Sequence, residues 1–280
     1  MDLSILFNKA DENDFIRFPD TLKTYKWYKP IIIFILTVII FLILDVLVLV
    51  PIVGLHLDDA GNIVRDSFFL LTLVLFIPAL YISTRLIYKT SFSSQLTFGR
   101  KWNWKLYIIS AAITLAVYVI YFLAMGAASE MNLSKVSAIS ILLFIILPIF
   151  QAFAEEYLFR GFLMQTLGSW FKIPIVAVII QAVIFGIIHF QYNVTGMIGV
   201  LVSGIIYGFV TWYTKGLEIS SALHAVNNLT IFIGILFTFM SSSDSISSMG
   251  FVVSIALLLV PACIILALNK KFNFVSCDGN

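Results

Sequence analysis

Charge is what this sequence has least of. Asp, Glu, Lys and Arg together make up 11% of its 280 residues, against 61% hydrophobic. A soluble globule is about a quarter charged. The composition therefore excludes a water-soluble enzyme and implies a polytopic membrane protein. Cysteine is nearly missing as well. Cys263 lies in an apolar stretch and Cys277 in the tail, on opposite sides of an expected membrane boundary, which suits neither a disulfide nor a metal pair. There is no glycine-rich phosphate loop, no internal repeat, and no basic patch of the nucleic-acid-binding kind. The opening "MDLSILFNKADENDFIRFPD" lacks the short basic region and immediate apolar core of a cleavable signal, so the N-terminus is expected to be retained.

What is present is a series of long apolar runs. Crossing ~30 Å of hydrocarbon takes about 20 apolar residues in a helix, and lipid-exposed backbone must satisfy its own hydrogen bonds. Eight runs qualify: 31–53, 67–87, 106–125, 138–160, 174–192, 195–213, 220–240 and 251–269. The fold class is all-α, a polytopic membrane helix bundle of about eight transmembrane helices. The chain divides into a cytoplasmic N-terminal segment (1–30), a three-helix transmembrane region (31–130), a core carrying the polar motifs (131–240), and a last helix with its tail (241–280). Basic residues set the orientation. With Arg160 set aside, 14 of the 16 remaining Lys and Arg residues fall on one side, and only Arg65 and Lys135 on the other. Both termini are therefore expected in the cytoplasm. Trp27, Trp102, Trp104, Trp170 and Trp212 all fall at that same boundary, where indoles favour the headgroup level.

Against this background "FAEEYLFRG" (153–161) is costly, since each charge near a bilayer centre costs roughly 2.5–3.5 kcal/mol on insertion scales. Glu156 and Arg160 are four apart with the acid first, the favourable direction for an ion pair. Glu155 points about 100° away and is left without a local partner, so it needs a metal, a base from another helix, or a proton. Two later runs supply candidates. "QAVIFGIIHF" sets Gln181, Phe185 and His189 on one stripe, and "SALHAVNN" sets His224 and Asn228 one turn apart. His56, the third histidine, lies in the acidic stretch "GLHLDD" and reads as solvated. In the sixth run, Gly204-x-x-x-Gly208 reads as a close helix contact.

Two chemistries fit an unpaired Glu with two imidazoles. Glu155, His189 and His224 are a ligand set for a catalytic zinc or another divalent metal with an open position for water. Without metal, Glu155 would be the base on a water oriented by His189, with His224 and Asn228 donating to the oxyanion. Straight, level helices would hold His189 and His224 roughly 15 Å apart in depth, so convergence requires tilt or a shifted boundary.

At these residues the sequence resembles the CAAX prenyl protease and bacteriocin-processing family, also called Abi or type II CAAX endopeptidases. The resemblance rests on three motifs in order over about 150–230: Glu155-Glu156-x-x-x-Arg160, Phe185-x-x-x-His189 and His224-x-x-x-Asn228. It implies an intramembrane endopeptidase, usually described as a metalloprotease, acting on membrane-associated peptides or lipidated protein C-termini. It implies Glu155 and His189 as water-activating or metal-binding residues, His224 and Asn228 as an oxyanion or metal-side pair, and Glu156 and Arg160 as support. Partners would be the substrate and the bilayer, with no nucleic acid. Two other classes use the same residues: a non-catalytic scaffold or bacteriocin self-immunity protein, and an ion-coupled transporter. The transporter would be expected to show inverted repeats, and the sequence displays none.

Overall fold

Backbone N–H and C=O groups exposed to lipid must find partners within their own segment, and the regular elements of the described residues are helical for that reason. A computed structural model describes residues 3–53, 70–126, 138–237, 240 and 246–272; His56, Arg65, Lys135 and Cys277 lie outside them. Two short 3-10 segments, Leu3–Leu6 and Phe15–Thr21, precede α1 (Lys29–Val53), α2 (Phe76–Tyr88), α3 (Phe92–Thr97) and α4 (Trp104–Ala124). Next come α5 (Ala138–Glu156), a π-helical segment (Tyr157–Leu163) and α6 (Met164–Phe171) in unbroken succession. The chain ends with α7 (Pro174–Ile187), α8 (Val194–Thr214), α9 (Glu218–Leu236) and α10 (Ser248–Phe272). Among the described residues there is no strand.

Among the described residues, seven helical stretches are long and apolar enough to cross a membrane, including one of 31 residues, Ile141–Phe171, that joins α5 to α6. The chain is a multi-pass membrane protein. The eighth apolar helix, α7, has 14 residues rather than the 19 expected from 174–192, about 21 Å at 1.5 Å per residue. The cause is local. Asn193 caps α8 by accepting from the Gly196 N–H (2.8 Å), so the reversal must be complete by that residue. Residues 188–193 make that turn, with Tyr192 N–H bonded to the His189 carbonyl at 3.0 Å.

The opposite helix ends share a different device. Lys89, Lys172 and Lys215 close α2, α6 and α8 in left-handed geometry, at φ 58°, 61° and 51°. Each returns its N–H to a carbonyl of the last turn. A lysine there suits the negative end of the helix dipole.

α9 is the central helix. It packs on α4, α5, α8 and α10, and most of its side chains are buried. α7 and α8 pack closely because their contact is glycine-lined: a Cβ on Gly204 would lie 3.1 Å from Ala182 Cα, and one on Gly208 would lie 2.6 Å from Gln181 Nε2. The N-terminal 3-10 segment Phe15–Thr21 lies on α6, close enough that a Cβ on Gly168 would meet Ile16 at 2.4 Å. α1 packs on α2 and turns Ile32, Ile35, Ile39, Leu42 and Val46 outward, as a lipid-facing helix requires.

Candidate active site

α5 ends at Glu156 and the wider π turn begins at the next residue. π segments are uncommon and recur at functional sites. Here Arg160, within the segment, is turned fully into the bundle. Its Nη1 donates to Glu156 Oε1 at 2.9 Å, and neither side chain has any exposed surface. Nη2 reaches the Gly204 carbonyl at 3.3 Å, which also accepts from Gln181 Nε2 at 2.9 Å. The guanidinium carbon stands 4.5 Å from the Phe185 ring centre and 5.3 Å from that of Tyr207. Glycine at 204 thus serves two ends at once: it brings the helices together and leaves its carbonyl open to both donors.

Glu156 Oε1 also meets His224 Nδ1 at 2.9 Å. A carboxylate already receiving Arg160 can only accept, so His224 Nδ1 carries the hydrogen and Nε2 faces away from Glu156. The imidazole lies parallel to the Tyr207 ring, 4.9 Å between centres and 18° between planes. His224 is fixed by its hydrogen bond and by its stacking, and its Nε2 stands 3.6 Å from Glu155 Oε2.

Glu155 differs from the expectation of a carboxylate without a local partner. Its Oε1 accepts from Gln151 Nε2, one turn earlier on α5. Its Oε2 is buried and makes no hydrogen bond among the described residues. Gln151 Oε1 in turn accepts from Asn228 Nδ2 at 2.7 Å. Asn228 Oδ1 accepts from Asn227 Nδ2 at 3.1 Å, and Asn227 Oδ1 from the Tyr118 hydroxyl of α4 at 2.7 Å.

His189 is placed apart from these groups. It sits in the turn after α7, half-buried, with Nδ1 bonded to the Phe185 carbonyl at 2.7 Å. Its ring is 4.8 Å from Phe185 and 6.1 Å from Tyr192, parallel to the latter. Phe185 also touches the His224 ring, 6.0 Å between centres, so one aromatic side chain links the two histidines. The three expected metal ligands, Glu155, His189 and His224, are not grouped: among the described residues no three His, Cys, Asp or Glu side chains are close enough to hold a metal ion together. Glu155 Oε2 and His224 Nε2 face one another as a potential pair of donors, but the early end of α7 and the bond to the Phe185 carbonyl hold His189 elsewhere. The residues as arranged do not complete a zinc ligand set.

Gln151, Asn227, Tyr118 and Tyr207 escaped the sequence reading. Gln151 was within reach of it, because the four-residue spacing that pairs Glu156 with Arg160 also pairs Gln151 with Glu155. Tyr118 and Tyr207 left no local signal.

A polytopic helical membrane protein with an acid–imidazole pair buried between its helices is the class this architecture defines. The family model "Type II CAAX prenyl endopeptidase Rce1-like" matches residues 137–230, the stretch that supplies Glu155, His189, His224 and Asn228. The chain is also 30% identical over 208 residues to the uncharacterized protein YyaK of Bacillus subtilis (strain 168), covering 68% of this chain and 69% of that protein. The chain belongs to the Rce1-like type II CAAX endopeptidase family, a family of intramembrane CAAX-type proteases. No solved structure matches it.

Proposed function

We propose that the protein hydrolyses a peptide bond near the C-terminus of a membrane-associated, lipidated peptide or protein, with Glu155 as the base that activates water. The observation that carries this reading is the buried Glu155 Oε2, which makes no hydrogen bond and faces His224 Nε2 at 3.6 Å. Glu156 Oε2 likewise makes no hydrogen bond, but Glu156 Oε1 takes both Arg160 and His224, whereas Glu155 has only the neutral Gln151 amide. In the proposed step Glu155 takes a proton from water as the water oxygen bonds to the scissile carbonyl carbon. The developing oxyanion meets the second N–H of Asn228 Nδ2 and stands beside His224, whose ring Glu156 holds through Nδ1. The C–N bond then breaks and the proton passes from Glu155 to the leaving amine. His189 stands in the turn after α7, beside Tyr192 and the exposed Phe190. The excess of basic residues on one side supports a cytoplasmic location for both termini, and with them for the inner ends of α6 and α8.

The test uses purified protein in lipid nanodiscs. The probes are a fluorogenic peptide ending in a farnesylated cysteine and three further residues, and its unprenylated counterpart. Expected are turnover of the farnesylated probe by wild type and its abolition in Glu155→Ala. Cleavage by Glu155→Ala at the wild-type rate, or cleavage of neither probe by wild type, would overturn the assignment. Metal analysis and chelation on the same sample decide the metal question: with the site as described, chelation leaves turnover unchanged and bound metal falls well short of one per chain.

A further inference from the structure

A carboxylate can only accept, and this fixes the direction of every hydrogen bond that leads to it. Ionised Glu155 requires the amide nitrogen of Gln151 to face it. Gln151 must then present its oxygen to Asn228, and Asn228 its oxygen to Asn227. Asn227 is left with its oxygen towards Tyr118, whose hydroxyl donates. Three side-chain amides, each able to flip end for end, are thereby held in one orientation by the charge at one end, and the Tyr118 hydroxyl takes the donor role and anchors the row at the other. Tyr118 is 3% exposed and Gln151 5%, so water does not substitute freely. The relay starts on α4, outside the stretch matched by the family, and crosses α9 to reach α5.

We propose that Tyr118 and Asn227 are positioning residues for Glu155, acting through Asn228 and Gln151. The inference rests on Glu155 being the base. With Tyr118 anchoring Asn227, Gln151 is held with its N–H on Oε1, so Oε2 stays aimed at the reacting water. Without the hydroxyl, Asn227 Oδ1 has no donor and its amide is free to turn. Asn228 and Gln151 then lose the end point of their row, and the Gln151 N–H leaves Oε1 for part of the time. Glu155 is then misplaced in that fraction of molecules, and turnover falls while substrate binding does not.

The experiment is a double-mutant cycle on the full-length protein, read as kcat and KM for the farnesylated probe. Tyr118→Phe is expected to lower kcat about fivefold at unchanged KM, the weight of one neutral hydrogen bond. Gln151→Leu, which removes a donor to a charged group, is expected to lower kcat about 30-fold or more. In the Gln151→Leu background, Tyr118→Phe should change kcat by less than about twofold, although the two side chains share no hydrogen bond. Thr114→Val is the control. It removes the buried bond from Thr114 Oγ1 to the Ser110 carbonyl one turn earlier on α4, and should leave kcat within about twofold of wild type. If Tyr118→Phe does not fold, Asn227→Asp takes its place, since it still accepts from Tyr118 but has no N–H for Asn228. Wild-type kcat in both variants, or effects that multiply in the double variant, overturns the relay. Full activity in Glu155→Ala instead overturns the proposed function itself. Activity lost in Glu155→Ala but unchanged in Tyr118→Phe and Asn227→Asp sinks the relay alone.

Discussion

Glu218 and Glu155 are two acids of the same bundle with opposite surroundings. Glu218 begins α9, and its side chain is 1% exposed. Oε2 accepts from Arg100 Nη2 at 2.8 Å; Oε1 accepts from Arg100 Nη1 and from the Asn103 N–H at 3.0 Å. Both oxygens are committed, and a Cβ on neighbouring Gly216 would strike Arg100 at 2.2 Å. The result is a latch that fixes the loop between α3 and α4 against the start of α9. Glu155 commits one oxygen to Gln151 and leaves the other open towards an imidazole. Burial of a charge is tolerated when partners replace water; a partner set left incomplete beside a second titratable group is what chemistry needs. The two acids therefore predict different failures, one of stability and one of rate.

Glu155→Ala should give the largest effect, a loss of cleavage by about a thousandfold or more, with the apparent melting temperature in nanodiscs within a few degrees of wild type. A variant that loses turnover only in step with its folded fraction would break the contrast with Glu218. Next comes the Glu156–Arg160 pair. Arg160→Met leaves a buried carboxylate without its cation and should cost about 3–5 kcal/mol. Glu156→Leu combined with Arg160→Met removes both charges and should recover much of that loss. It should nonetheless stay at least about a hundredfold below wild type in kcat, because His224 loses the group that holds Nδ1. A double variant with normal kcat would mean that Glu156 only neutralises Arg160 and does not orient His224. Glu218→Gln should be milder, costing about 1.5–3 kcal/mol for the lost charge-assisted bonds, with kcat per folded molecule unchanged.

The legible parts of this architecture follow from spacing along one helix. Among the described residues, seven of the eight expected spans, the all-helical class and the Glu156–Arg160 pair depend on apolar length or on the four-residue step, and both are readable from letters. The shortness of α7 was not readable, because "GIIHFQYN" continues the apolar run. What ends the helix is the need to reverse before the Asn193 cap, a property of two helices together. The convergence expected of Glu155, His189, His224 and Asn228 rests on their co-occurrence; the structure brings Glu155, His224 and Asn228 together and leaves His189 apart. The way they meet, through Gln151 and under the Tyr207 ring, depends on which faces of α5, α8 and α9 pack. Tyr118 is the extreme case: its partner Asn227 is 109 residues away, and no periodicity in α4 distinguishes it from Tyr121 or Tyr107.

The smallest effect belongs to the N-terminal segment, where a further acid tests the rule of saturation from outside the membrane. Asp14 accepts from the Ile16 N–H at 3.1 Å and from the Trp212 indole at 3.1 Å, yet burial pushes its carboxyl above the ordinary value against both bonds. A folded-state pKa above the unfolded one means that the folded protein binds more protons between the two values. Stability therefore falls as pH rises from about 3.8 through the raised value, and the lowered level persists at neutral pH. Asp14→Asn keeps one oxygen as acceptor and removes the charge, so the fall across that window should disappear, while the lost bond to Trp212 costs about 1 kcal/mol. Thermal unfolding of the two proteins from pH 4 to pH 7 measures this. Curves that stay parallel across the range would show that the carboxyl titrates alike in both states, and that its two hydrogen bonds fully offset its burial.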